Sequence, residues 1–163
     1  MRLYLVRHGK AEYGPVDTTR PLSARGRDDI TSMAAHLAAM DVEAPEIFHS
    51  TLARARETAE LFAAGLNPAA APKPMEGIEP WGDVPTFAKA AGAWVADTMV
   101  CGHEPFMGVA ASALLCGDPH GHVLTVKTGT VMALERGHNP SSWHLRWMLT
   151  PRMVRGPLMK DNA

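Results

Sequence analysis

The sequence predicts an α/β fold: a three-layer α/β/α sandwich whose central sheet is mainly parallel, with an antiparallel portion. Two observations predict it. Over the first two thirds, short apolar runs alternate with longer stretches carrying apolar residues at helical spacing, the pattern of a parallel sheet covered by helices. The last third changes to strand-like segments separated by turns, which supplies the antiparallel part. At 163 residues the chain is expected to be one domain over 1–163, burying roughly 70% of its extended surface. Residues 152–163 are expected to form a tail of undefined structure.

The elements follow in order. Residues 2–6 read as a short buried strand that stops at Arg7-His8-Gly9. Residues 10–22 form a loop punctuated by Gly14, Pro15 and Pro21. Ser23 caps a helix running to about Met40, with Ile30, Met33, Ala34 and Leu37 as its core stripe and Asp28 and Asp29 early in it. Glu46-Ile47-Phe48-His49 is a second strand. Ser50 or Thr51 caps a second helix that reaches about Ala64 and ends at Gly65. Residues 66–83, rich in Pro and Ala, read as a long surface loop of the kind that is often functional. A weak helix covers 84–92. Thr98-Met99-Val100-Cys101 is a third strand closed by Gly102-His103, and Pro105 fits the first turn of a helix that Gly117 ends. Residues 122–126, 130–135 and 143–149 read as strands. The last alternates, with Trp143, Leu145, Trp147 and Leu149 on one face and His144, Arg146 and Met148 on the other.

Composition excludes several classes. A formal charge of −1 gives no global field that would draw the chain to nucleic acid or anionic lipid. No apolar stretch approaches the ~20 residues of a spanning helix, and the N-terminal apolar run is too short for a signal segment, so a cytoplasmic location is expected. Cys101 and Cys116 form no CxxC pair and read as small buried hydrophobes in a reducing compartment. His120 and His122 lack acidic or cysteine partners nearby and read as a turn, so no metal site and no cofactor are expected. Arg56 and Glu60 read as an exposed i,i+4 pair.

Three strand ends carry reactive groups. The first ends at Arg7-His8, the second leads through Ser50 into a helix whose first turn holds Arg54, and the third ends at Gly102-His103. In a parallel sheet these ends lie on one edge, where such folds bind ligands. Two guanidiniums and two imidazoles around one point make a receptor for a compact dianion, because arginine forks match phosphate oxygens. Arg7, Arg54 and a protonated His103 would neutralise a phosphoryl group. Neutral His8 would attack it in line, and cationic neighbours favour that neutral form.

The motifs carrying these residues resemble those of the histidine phosphatase (phosphoglycerate mutase-like) superfamily. Leu5-Val6-Arg7-His8-Gly9 resembles its Arg-His-Gly signature. The segment Ser50-Thr51-Leu52-Ala53-Arg54-Ala55-Arg56-Glu57-Thr58-Ala59 resembles its Ser-Pro-x-x-Arg-Ala-x-x-Thr-Ala motif, with Thr51 in place of proline, a departure that removes no charged group. Gly102-His103-Glu104-Pro105 resembles its Gly-His-x-Pro motif. Within the superfamily, Arg20-Pro21-Leu22-Ser23-Ala24-Arg25-Gly26 and Ile78-Glu79-Pro80-Trp81-Gly82-Asp83 resemble segments of the SixA-type phosphohistidine phosphatases. The matches span residues 3 to about 130 in order. The resemblance implies a phosphoglycerate mutase-like fold and a metal-independent hydrolase in which His8 becomes phosphorylated. Arg7, Arg54 and His103 would hold the phosphate, with Arg20 and Gly9 as further substrate-binding candidates. It also places Thr128 near the pocket, a supporting candidate beside Ser50.

Asp83, Glu79 and Glu104 are the candidate proton donors, although Glu104 reads first as a carboxylate favouring a helix start. No carboxyl stands out, and the chain has room for only a small cover over the pocket. Expelling imidazole from phosphohistidine demands less acid assistance than expelling an alcohol. These points favour phosphohistidine on a carrier or phosphorelay protein as substrate. A small phosphate monoester is the alternative, and a non-catalytic phosphate or phosphoprotein receptor a second one.

Overall fold

The computed structural model describes residues 1–139 and 142–155. Its elements are β1 (Arg2–Arg7), α1 (Ala24–Ala39), β2 (Glu46–His49), α2 (Ala53–Leu66), β3 (Lys73–Pro74), α3 (Val84–Ala93), β4 (Thr98–Gly102), α4 (Phe106–Cys116), β5 (Val131–Arg136), β6 (Trp143–Leu149) and α5 (Pro151–Val154). They build one six-stranded sheet in the order β3-β2-β4-β1-β5-β6. The strands β3, β2, β4 and β1 are parallel, while β5 pairs antiparallel with β1 and β6 antiparallel with β5. The mixed sheet between helical layers is the predicted architecture.

Alternation along the strands sends side chains to two cores. Leu3, Leu5, Val100, Met132 and Leu134 face α3 and α4, where Phe87, Phe106, Met107 and Ala110 close the layer. Tyr4, Val6, Met99, Cys101, Val131 and Ala133 face α1 and α2, against Ile30, Met33, Leu37, Ala59 and Phe62. The core residues of β1 and β4 are essentially excluded from solvent, as a central parallel strand pair covered on both faces requires.

Several boundaries differ from the sequence reading. Ser23 does cap α1, its hydroxyl accepting from Gly26 N at 3.1 Å. Neither Ser50 nor Thr51 caps α2. Leu52 occupies that position without a side-chain cap, because the Ser50 hydroxyl is engaged with His103 and the Thr51 hydroxyl with Glu79. The helix ends at Asn67, left-handed at φ 49°, and not at Gly65. Gly65 serves packing instead, since a Cβ there would lie 2.6 Å from the Cβ of Ala34 on α1. Pro105 stands one residue ahead of α4 as its cap, and Gly117 ends that helix at φ 71°.

The segment 66–83 is not wholly loop. Lys73–Pro74 pairs with β2 as a short edge strand, and Ile78 and Glu79 are buried. Residues 122–126 form no strand, and Val126 alone among them is buried. Cys101 is buried as expected, but Cys116 is exposed at the end of α4. The tail expectation is corrected at its start, where Pro151–Val154 is helical; residues 156–163 lie outside the described residues.

The alternation of β6 is broken by a bulge. Ala133 pairs with Trp147 and Leu134 with Leu145, so Arg146 is the extra residue. A single inserted residue reverses the face of all that follows. Trp143 therefore packs in the α3/α4 core, while Trp147 and Leu149 join the α1/α2 core. The four residues read as one face are split two and two.

Gly26 governs how the 9–11 segment meets α1. A Cβ at Gly26 would lie 2.0 Å from the Lys10 carbonyl oxygen, a backbone atom that a rotamer change cannot move away. Gly26→Ala is expected to cost roughly 1–3 kcal/mol of stability. Urea unfolding should show it as a lowered midpoint with an unchanged slope.

Candidate active site

The carboxyl ends of β1, β2 and β4 are knitted together by the backbone. His8 N donates to Gly102 O at 2.9 Å and Ser50 N to Cys101 O at 3.1 Å. This brings residues separated by about half the chain to one edge, where a cavity of about 320 Å³ is lined by Arg7, His8, Arg20, Arg54, His103 and Glu104, together with Lys10, Ala11, Tyr13, Pro80 and Thr128. Arg7, His8, Arg54 and His103 therefore converge.

His8 is held in one tautomer. Its Nδ1–H donates to the Gly9 carbonyl at 2.6 Å, which leaves the Nε2 lone pair as the reactive one. That Nε2 accepts from Arg54 Nε at 3.2 Å. Gly9 does not line the cavity. Its amide donates to Thr58 Oγ1 at 3.1 Å, and a Cβ would meet Ile30 Cγ1 at 2.9 Å and the Gly26 carbonyl oxygen at 3.1 Å. Its place in the site is thus to hold His8, through its carbonyl and close packing.

His103 lies beside His8, ring centroids 4.9 Å apart. Its Nε2 shares a short hydrogen bond with the Ser50 hydroxyl, so Ser50 stands behind the imidazole, outside the cavity lining. His103 Nδ1 and Arg7 Nε are buried without a hydrogen-bond partner among the described residues. Arg7 is otherwise anchored by donating from Nη1 to Val126 O at 2.7 Å. Both residues line the cavity, and a buried nitrogen left without a partner is costly.

Electrostatics keep both imidazoles neutral. Burial, reinforced by Arg54, Arg7 and Arg20, overcomes the Gly9 bond and lowers the His8 pKa to about 4. Burial, then His8, Arg54 and Arg7, outweigh Asp17 and lower that of His103 to about 3. In the protein alone His103 is therefore uncharged near neutrality, and the protonated form expected at a phosphoryl group would arise only with the anion present. An anion within hydrogen-bond reach would raise it.

The candidate proton donors separate. Glu104 lines the cavity, and burial raises its pKa against the opposing influence of Arg7 and the Gly108 amide. Its carboxylate also accepts from Gly108 N in the first turn of α4 at 3.1 Å, as the helix-start reading expects. Glu79 and Asp83 line a neighbouring cavity. Burial would raise the Glu79 pKa, but hydrogen bonds including those from Thr51 and Gly77 prevail and lower it. The Asp83 carboxylate accepts from the Thr86 hydroxyl. Neither lines the His8 cavity.

Sequence reasoning missed Asp17, Lys10 and Tyr13. Asp17 sits on a short 3-10 turn, Asp17–Thr19, with no buried residues, and no motif or periodicity marks it. Arg56 and Glu60 form an exposed pair at 3.7 Å. Among the described residues, no group of three or more His, Cys, Asp or Glu is placed to hold a metal ion, and no helix is long and apolar enough to cross a membrane.

Comparison with known proteins finds relatives in sequence and in fold. Residues 3–81 match the family model of the histidine phosphatase superfamily (branch 1). An uncharacterised protein of Picosynechococcus sp. is 33% identical over 146 residues, covering 84% of this chain and 86% of that one. Phosphohistidine phosphatase SixA of Escherichia coli is 27% identical over 150 residues, covering 89% of this chain and 93% of that one. Among solved structures, the protein histidine phosphatase SixA complexed with tungstate superposes with a TM-score of 0.84 at 25% identity, covering 93% of this chain and 97% of the other. An E. coli protein described as a putative α-ribazole-5′-phosphate phosphatase shares the fold, with a TM-score of 0.76 at 16% identity over 93% of this chain and 98% of its own.

The two depressed histidine pKa values make stability depend on pH. The unfolded chain binds protons at these imidazoles near pH 6.5 and the native protein only near 4 and 3, so stability is full above pH 6.5 and falls as the pH drops below it. Between pH 7.5 and 5 the loss should be roughly 2 kcal/mol per histidine. Denaturant unfolding at both pH values checks this, and His8→Gln should flatten the slope by about half.

Proposed function

This chain belongs to the histidine phosphatase superfamily and is a phosphatase; we propose that its substrate is phosphohistidine on a partner protein and that His8 is the nucleophile. The observation that carries the reading is the convergence on His8. Its Nε2 lone pair accepts from Arg54 Nε at 3.2 Å, and Arg7 and His103, each with a buried nitrogen that lacks a partner among the described residues, line the same cavity.

The chemistry follows from these positions. His8 Nε2 forms a bond to phosphorus as the bond from phosphorus to the substrate nitrogen breaks. The departing imidazole nitrogen leaves with a proton. Arg7 and Arg54 neutralise the equatorial oxygens, and their desolvation strengthens that interaction. The same anion supplies the charge that draws a proton onto His103. Water then attacks phosphorus on phospho-His8, releasing inorganic phosphate and restoring the imidazole. The Gly9 carbonyl steadies Nδ1–H throughout. Glu104, the carboxyl of the cavity, serves the proton transfers, to the leaving group in the first step and from water in the second.

Two features support a protein substrate over a metabolite. Tyr13, which lines the cavity, is 95% exposed, and Trp81, beside the lining residue Pro80, is 74% exposed. Aromatic side chains held out at a site mouth suit contact with a macromolecule. The likeness to SixA over most of both chains points the same way. The location is proposed to be cytoplasmic, where carriers and phosphorelay domains bearing phosphohistidine would be met.

Specificity constants for a panel of phosphohistidine proteins and small phosphate esters decide the substrate. The protein substrates should lead, and the reverse order would assign the enzyme to a metabolite. His8→Ala should lower turnover by three orders of magnitude or more. Rapid quench should trap acid-labile, alkali-stable phosphate on the wild-type protein and none on the variant. Glu104→Gln keeps the bond to Gly108, and it should slow ester cleavage by at least tenfold more than phosphohistidine cleavage.

A further inference from the structure

Asp17 joins the two arginines that stand on opposite sides of its turn. One carboxylate oxygen accepts from Arg20 Nη1 at 2.9 Å and the other from Arg54 Nη2 at 3.1 Å. The Asp17 carbonyl accepts from Arg54 Nη1 at 2.8 Å. Both terminal nitrogens of Arg54 are thereby held at one end, which leaves Nε directed at His8 Nε2. Arg20 is fixed a second time, from Nε to the Glu12 carbonyl at 2.7 Å. Both guanidiniums line the His8 cavity, whereas Asp17 does not.

We propose that Asp17 is a positioning residue for phosphate binding: it clamps Arg20 to Arg54 so that the two guanidiniums act as one preformed anion receptor. This deepens the phosphatase reading and rests on it. The alternative, that Asp17 serves stability, fits the structure poorly. Its turn buries nothing, and the Asp17–Arg20 pair, with side chains 51% and 27% exposed, is of a kind that contributes little to stability; the buried Arg54 keeps its bond to the Asp17 carbonyl when the side chain is removed. The clamp's value lies in fixing two long, flexible side chains before the ligand arrives, which spares their ordering on binding.

The sign of the effect separates the clamp from simple electrostatics. Removing a carboxylate beside a phosphate receptor raises local positive charge and, acting through charge alone, tightens anion binding. Removing a clamp weakens it. Titration calorimetry with orthovanadate and with inorganic phosphate on the intact protein reads this without turnover. Asp17→Ala should weaken both by roughly tenfold, the worth of a lost charge-assisted contact. Asp17→Asn, which keeps an acceptor, should recover part of the loss. Arg20→Ala should weaken binding similarly, and the double variant should be little worse than either single one, because the two residues act as a unit. In turnover, KM should rise with kcat changed far less, and the melting temperature should stay within a degree or two of wild type.

Unchanged or tighter vanadate binding by Asp17→Ala would overturn the clamp, as would losses for Asp17→Ala and Arg20→Ala that simply multiply. Wild-type protein that binds neither anion and turns over no phosphorylated substrate would overturn the phosphatase reading of the pocket itself, a result distinguishable from failure of the clamp alone.

Discussion

The hydrogen bond from His8 Nδ1 to the Gly9 carbonyl decides what this pocket can do. An imidazole is ambivalent, and its two nitrogens exchange roles unless something fixes the proton. Here the fixing group is the backbone of the next residue, at 2.6 Å, so the carbonyl must itself be immobile. It is: the Gly9 amide is tied to Thr58 on α2, and the residue is packed against Ile30, Leu22 and the Gly26 carbonyl of the α1 region. The helical layer on one side of the sheet thus sets the chemistry of a side chain at the end of its central strand.

Charge organisation depends on the same arrangement. Placing guanidiniums around a buried imidazole penalises the imidazolium, and burial penalises it further. His8 and His103 therefore share an environment that keeps both neutral. For His8 this preserves the lone pair. For His103 it means that charge arrives with the ligand. The pocket withholds part of its positive potential until an anion is present, which limits its self-repulsion when alone.

Much of this was legible in the chain. Arg7-His8, Ser50 with Arg54, and Gly102-His103 each follow a short apolar strand, and parallel pairing of such strands forces their ends together. Local signals were reliable where tertiary contacts left the capping oxygen available, as at Ser23, which accepts from Gly26 N while its hydroxyl donates to the Lys10 carbonyl. They failed where tertiary contacts claimed the residue. Ser50 and Thr51 are good caps by type, but their hydroxyls go to His103 and Glu79, and Gly65 is a packing glycine instead of a helix stop. The β6 bulge at Arg146 was invisible because the sequence alternates cleanly straight through it, and only pairing with β5 reveals the slip. Asp17 escaped notice for another reason. Its partners come from the loop at Arg20 and the helix at Arg54, and nothing local distinguishes it from a solvated turn residue.

Thr51 stands where the superfamily motif has proline, and the structure shows what it does. Its amide and hydroxyl both donate to Glu79 Oε1, at 3.4 and 3.0 Å, and Glu79 Oε2 accepts from Gly77 N at 2.9 Å. Proline has no amide hydrogen and no hydroxyl to offer, so this clasp belongs to the threonine. It staples the wall that ends in Pro80 to the start of α2. The segment after α2 is consequently not a freely exchangeable module. A chimera that imports this stretch from a proline-bearing homologue would have to carry both halves of the clasp, or leave Oε1 of a buried carboxylate without its Thr51 donors.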